Sequence, residues 1–266
     1  DAVGGVVNII LKSRFDGAET RLRVGGTSDG GAEETLLSHS GGFNWSSGGL
    51  IAAYELHDRG ELRAADRRAT ANADLRPLGG SDWRFTYAAP GNLIAFDPVS
   101  GSYEPVYAIP RNQNGVGLTP GDFRPGEVNL TNQMEGLWSL PHQRRHSLFV
   151  AGRQDLPGGF SLDGDLRYTD RTYSQDSVAD IGILFVTPDN PFFVPVAGEP
   201  YQEIAYSFIN NLGPGRDEGF SRSVGGAVGI TGELAGWNIA AYLSGGRETT
   251  GLTASNRVQT TRLDEA

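Results

Sequence analysis

Phe160-Ser161-Leu162-Asp163-Gly164-Asp165-Leu166-Arg167-Tyr168-Thr169 alternates residue by residue between two chemistries. In an extended chain Phe160, Leu162, Gly164, Leu166 and Tyr168 share one face, and Ser161, Asp163, Asp165, Arg167 and Thr169 share the other. One face carries three charges and the other none. Such a strand separates an apolar medium from a wet one.

Six further segments repeat the pattern less purely. Residues 18–24 set Ala18, Thr20, Leu22 and Val24 against Glu19, Arg21 and Arg23. Residues 33–43 end at Phe43, and residues 49–58 place Leu50, Ala52, Tyr54 and Leu56 on one face. Leu148 and Val150 mark residues 146–155, and Val224, Val228 and Ile230 mark residues 222–233. Trp237, Ile239, Ala241 and Leu243 share a parity in residues 237–247. Seven amphipathic strands predict an all-β, antiparallel architecture.

The connections alternate in length. Asn44-Trp45-Ser46-Ser47-Gly48, Pro157-Gly158-Gly159 and Ala235-Gly236 are tight turns, whereas about 59–145 and 172–221 are long and 25–32 is shorter. In an up-and-down sheet this puts every short turn at one end and every long loop at the other. Loops longer than about 15 residues are rare in compact soluble domains, and this layout is that of outer-membrane barrels. Phe43, Trp45, Phe160 and Trp237 flank the short turns, as an interfacial girdle would. Phe160 and Tyr168 are eight steps apart on one face, which at a tilt near 40–45° is roughly 20 Å along a membrane normal. A soluble sandwich whose aromatics cap its core fits the same alternation.

Composition narrows the function classes. The 266 residues contain 38 glycines without a collagen period, and no cysteine for disulfides, thiolate metal sites or thiol nucleophiles. No apolar run approaches the ~18 residues of a membrane-spanning helix, which leaves a strand-built barrel open. With 22 basic and 32 acidic residues the net charge is −10, unsuited to gripping nucleic-acid phosphates. Lys12 is the only lysine. There is no Gly-x-Ser-x-Gly elbow, no phosphate-binding Gly-Lys-Ser/Thr loop and no His-Glu-x-x-His, so covalent catalysis and a bound cofactor are not expected. Gly115-Val116-Gly117-Leu118-Thr119-Pro120-Gly121 has the wrong spacing for a dinucleotide fingerprint and reads as a turn-rich loop.

The opening segment Asp1-Ala2-Val3-Gly4-Gly5-Val6-Val7-Asn8-Ile9-Ile10-Leu11-Lys12 resembles the closing strand of the plug domain in TonB-dependent outer-membrane receptors. Phe15-Asp16-Gly17-Ala18-Glu19 then opens the first strand where that family begins its barrel. Ala73-Asp74-Leu75-Arg76-Pro77-Leu78-Gly79-Gly80, Pro188-Asp189-Asn190-Pro191-Phe192-Phe193 and Asn211-Leu212-Gly213-Pro214 are similar to loop segments of such receptors. The resemblance implies a piece of a receptor: residues 1–14 as the last plug strand, and residues 15–266 as about seven strands of a larger transmembrane barrel. It further implies a Gram-negative outer membrane, lipid and the TonB energy-transducing complex as partners, and uptake of a scarce nutrient such as a siderophore, cobalamin or oligosaccharide. In that setting Val3, Gly4, Gly5 and Asn8 pack the plug against the barrel wall. A secreted carbohydrate-binding β-protein and a TonB-independent porin or autotransporter barrel are the alternatives.

Two groups of residues stand out as candidate sites. Arg21, Arg23, Asp163, Asp165 and Arg167 fall on polar strand faces and are expected to face a wet lumen. Between residues 172 and 219 seven acids face Arg216 alone, a net of −6, in a stretch that carries Phe185, Phe192, Phe193, Tyr201, Tyr206 and Phe208. Asp189, Phe192, Phe193, Tyr201 and Tyr206 are the expected ligand contacts there. Carboxylates with aromatic rings suit a sugar or a cationic ligand, and equally a loop that packs its own rings. His142 and His146 read as polar residues leading into a strand. Asp97, Ser100 and Glu104 lack a calcium-loop pattern, and no metal site is expected.

Overall fold

A computed structural model describes residues 15–263. The proposed plug residues Val3, Gly4, Gly5 and Asn8 lie outside the described residues. The strands, in chain order, are β1 (Gly17–Gly25), β2 (Glu34–Trp45), β3 (Gly48–Arg59), β4 (Leu62–Arg63), β5 (Asn92–Asp97), β6 (Ser102–Ala108) and β7 (Arg124–Pro125). They continue with β8 (Trp138–Leu140), β9 (His142–Leu156), β10 (Phe160–Ser177), β11 (Ile181–Val186), β12 (Gln202–Ser207), β13 (Gly215–Leu234) and β14 (Trp237–Ser255). The protein is all-β and its sheets are antiparallel.

The seven strands expected from alternation form one sheet, in the order β1-β2-β3-β9-β10-β13-β14. Each pairs with the next one expected, so the sheet is an up-and-down meander interrupted by two insertions. Residues directly opposite across an antiparallel pair share a face. The row through Gly164 reads Phe43, Leu50, Gly152, Gly164, Val228, Leu243, and the row through Tyr168 reads Thr20, His39, Tyr54, Leu148, Tyr168, Val224, Arg247. The pairing therefore gathers the apolar parities of all seven strands onto one face.

Among the described residues nothing covers that face. Leu162 is 40% exposed, Leu166 48% and Leu243 73%, and every buried hydrophobic residue among those described lies outside the seven strands. The apolar band also runs obliquely. Its upper edge descends from Val24 in β1 to Leu243 in β14, eight residues below Val24's row in six strand steps. Its lower edge descends from Trp45 in β2 to Trp237 in β14, four residues in five steps. With about 3.3 Å per residue and about 4.8 Å between strands, the band crosses the hydrogen-bonded rows at roughly 30–40°.

The strands run further than their alternation. β10 has 18 residues, β13 has 20 and β14 has 19, against the 3–10 usual in globular proteins. The insertions consequently span 60–141 and 178–214 rather than 59–145 and 172–221. Beyond Tyr168 the formerly apolar face carries Asp170, Thr172, Ser174 and Asp176, so both faces of β10 are polar there and the two-residue signal vanishes.

The two insertions are not structureless. They build a second sheet in the order β11-β12-β5-β6-β7, in which β12 from one insertion pairs with β5 from the other through Ile204↔Leu93 and Ala205↔Asn92. Leu93 and Phe123 from the first insertion pack with Val194 and Val196 from the second. This cap, at the long-loop end, holds the buried hydrophobic cluster found among the described residues.

Part of the cap is held by charge. Asp74 and Asp82 form an antiparallel bridge flanked by Arg76 and Arg84. Arg76 reaches Asp74 at 2.6 Å and Asp82 at 3.1 Å, and Arg84 reaches Asp82 at 2.8 Å. Hydrogen bonding from the Arg84 side chain holds the Asp82 carboxyl down at about 2, against an ordinary 3.8. A depressed carboxyl stabilises the fold above its unfolded pKa, and that contribution disappears as pH falls through the folded one. Amide exchange of residues 73–84 is expected to stay protected down to about pH 4 and to accelerate between about 4 and 2. Asp82→Asn should weaken that pH dependence, leaving the part carried by Asp74, which Arg76 also holds low, and unchanged dependence in the variant would show that another group closes the turn.

Candidate functional site

The expected polar residues occupy the face opposite the apolar band. Arg21 aligns with Ser38, Glu55, Ser147 and Thr169, and Arg167 aligns with Phe149, Ala53, Ser40 and Glu19. Arg21 and Arg167 meet along one open groove of about 510 Å³. Asp163 and Asp165 line a neighbouring groove of about 310 Å³ with Arg153 and Tyr242. Arg23 lies further along the same face and pairs with Glu34, which also receives His57 at 3.0 Å. Charges here are largely matched within the wall: Arg21 with Glu19 at 2.6 Å, Arg145 with Glu55 at 2.6 Å, and Arg167 with Asp165 at 2.8 Å. A face of this kind stays hydrated and holds little net charge.

The cap is different. A cleft of about 350 Å³ opens between the β5–β6 hairpin and residues 196–203, lined by Phe96, Tyr103, Tyr107, Tyr201, Glu199 and Glu203 over a floor of Leu93 and Ile94. The β5–β6 turn presents Phe96 edge-on to Tyr103, with ring centroids 5.7 Å apart. Asp97 shapes that turn: its carboxylate accepts the backbone N–H of Val99 at 2.8 Å and of Ser100 at 3.3 Å. These bonds lower the Asp97 pKa and occupy oxygens that a calcium site would need. On the other wall Tyr201 stands 6.4 Å from Phe185. Among the described residues no arginine, lysine or histidine lines the cleft.

Of the five expected ligand contacts, the structure places Tyr201 in this cleft and the other four elsewhere. Asp189 is exposed in the turn after β11. Phe192 is exposed against Gly115 of the first insertion, where a Cβ would lie 3.0 Å from its ring. Phe193 is half-buried in the same turn. Tyr206 donates its hydroxyl hydrogen to Asn211 Oδ1 at 2.8 Å and packs edge-on against Phe208 at 5.1 Å. Phe96, Tyr103 and Tyr107 come from the first insertion, whose aromatic residues carried no sequence signal of their own. Only the pairing of β5 with β12 brings them to Glu203.

The acidity between residues 172 and 219 is also redistributed. Arg216 pairs with Asp176 at 2.8 Å and Glu218 at 3.2 Å, and Arg257 with Asp180 at 3.0 Å and Asp217 at 3.2 Å. These four acids brace strand ends. Glu199 and Glu203 have no ion pair or side-chain hydrogen bond among the described residues. His142 and His146 serve separate partners, Asp58 at 3.4 Å and the Tyr54 hydroxyl at 2.7 Å.

No family model, no curated protein and no solved structure matches this chain.

Proposed function

We propose that the chain is part of the wall of a transmembrane β-barrel in a Gram-negative outer membrane, belonging to a TonB-dependent receptor that takes up a scarce nutrient. The observation that carries this reading is the unpartnered apolar band, which runs across all seven strands at roughly 30–40° to their hydrogen-bonded rows, the tilt that strands adopt in such barrels. A band horizontal in the membrane must cross tilted strands obliquely, whereas a soluble sandwich would cover the same leucines with a second sheet. Aromatic residues border the band: Phe43 and Trp45 sit 5.4 Å apart beside one short turn, Trp237 beside another, and Tyr54 and Tyr168 share one row above.

In this reading further strands pair along the outer edges of β1 and β14, the matched polar face lines a wet lumen, and the cap meets the nutrient outside the cell. Residues 1–14 are the end of a plug that the TonB complex pulls. A plugless barrel would share the features of residues 15–263, and the resemblance of residues 1–12 favours the receptor. The work is binding and gated passage, with no covalent step.

The test is topology in living cells. An epitope inserted at Gly101, in the exposed β5–β6 turn, is expected to bind antibody on intact cells. The same epitope at Gly236, in a short turn, should bind only after the outer membrane is permeabilised. Equal labelling at both positions, or recovery of the protein in the soluble fraction, overturns the proposal.

A further inference from the structure

We infer that the cap cleft between the β5–β6 hairpin and residues 196–203 is a binding site for an organic cation: an ammonium or guanidinium group carried on an apolar body. The inference rests on the uptake reading only for its purpose, not for its chemistry. The cleft volume of about 350 Å³ lies within the range of small-molecule sites. Its floor is apolar, with Leu93 and Ile94, and its walls offer the rings of Phe96, Tyr103 and Tyr201. Aromatic faces attract a cation through their quadrupole, most strongly where water is partly excluded.

The carboxylates set the sign of the ligand. Glu199 and Glu203 both line the cleft, and neither has an ion pair among the described residues, although nearby acids are paired with Arg216 and Arg257. Two unpaired negative charges in one cleft without a cation repel an anionic ligand. A neutral sugar would stack on the rings but leave both charges uncompensated. The one amide side chain in the lining, Gln202, is buried and donates to the Val194 carbonyl, so it offers a sugar hydroxyl little. A cation with an apolar body satisfies the floor, the rings and both acids together.

The experiment uses the full-length protein in detergent micelles and three probes measured by titration calorimetry: 2-phenylethylammonium, its neutral counterpart 2-phenylethanol, and glucose. The ammonium is expected to bind saturably, with both neutral probes weaker by about tenfold or more. Glu199→Gln/Glu203→Gln should weaken the ammonium by about tenfold and leave 2-phenylethanol unchanged, while Asp189→Asn should change nothing. Tyr201→Ala should weaken the ammonium and 2-phenylethanol alike, which checks the site independently of its charge. The inference is overturned if the neutral probes bind as well as the ammonium, if the glutamine variant binds it normally, or if no saturable binding appears at millimolar probe. Binding by a protein found outside the outer membrane would sink the transport reading and leave the ligand assignment standing.

Discussion

Arginine at Leu162 or Leu166 is expected to keep the protein out of the membrane. Both side chains lie on the uncovered face of β10, two residues either side of Gly164, at the centre of the band from Phe160 to Tyr168. Arginine facing lipid near the bilayer midplane costs about 2–4 kcal/mol, comparable to much of the net stability of a domain. Asp163→Asn, on the opposite face, should change assembly by no more than about 0.5 kcal/mol. Pulse-chase fractionation of the outer membrane reads the difference. In a soluble protein with this face left open, as it is among the described residues, the same leucines would meet water, and arginine would leave yield unchanged or improve it. The two readings thus predict opposite signs, and equal tolerance of all three substitutions would refute a lipid-facing β10.

The second large effect is expected at Asn92, which has no solvent exposure. Its amide donates to the Thr86 carbonyl at 2.5 Å and the Asn129 carbonyl at 2.9 Å, and its carbonyl oxygen accepts the Asn129 N–H at 2.7 Å. Asn129 in turn donates to the carbonyls of Gly91 and Ile109. Asn92 sits in β5 between Ala205 of β12 and Ala108 of β6, where the two insertions join. Asn92→Ala strands two buried polar groups of Asn129 and the half-buried Thr86 carbonyl, at about 1–3 kcal/mol for each buried group, so a loss of about 3–5 kcal/mol is expected. Hydrogen exchange should show it confined to the cap, because the ladder from β1 to β14 does not pass through Asn92. Exchange that rises equally in both sheets, or a cost below about 1 kcal/mol, would contradict this account. Asn129→Ala added to Asn92→Ala should cost less than the two changes separately, since they share one network.

Legibility in the sequence followed the reach of each interaction. Alternation in 160–169 is set by neighbours two residues apart, and it identified β10 and the side of it that stays apolar. The same rule located the other six long strands and the polar face with Arg21, Arg23, Asp163, Asp165 and Arg167. It missed the outer ends of β10 and β13, where Asp170 to Asp176 and Arg216 to Arg222 put polar residues on both faces. It also missed the cap sheet. β5 and β6 are short, Pro105 lies in β6 beside a register shift, and the partner of β5 on its other side, β12, is about a hundred residues away. No local period reports a pairing across that distance.

The candidate site shows the same division. Composition located an excess of acids and rings between residues 172 and 219, and Tyr201 was among those singled out. It could not separate Asp176, Asp180, Asp217 and Glu218, which are bound to Arg216 and Arg257, from Glu199 and Glu203, which are free of ion pairs among the described residues. Sequence alone thus determined an all-β chain with one apolar and one wet strand face, because that choice is made every second residue along a single strand. Tertiary structure alone decided the oblique course of the apolar band, the joining of two insertions into one cap, and which carboxylates face Phe96 and Tyr103. Each of these depends on cross-strand register between distant segments, which no residue specifies by itself.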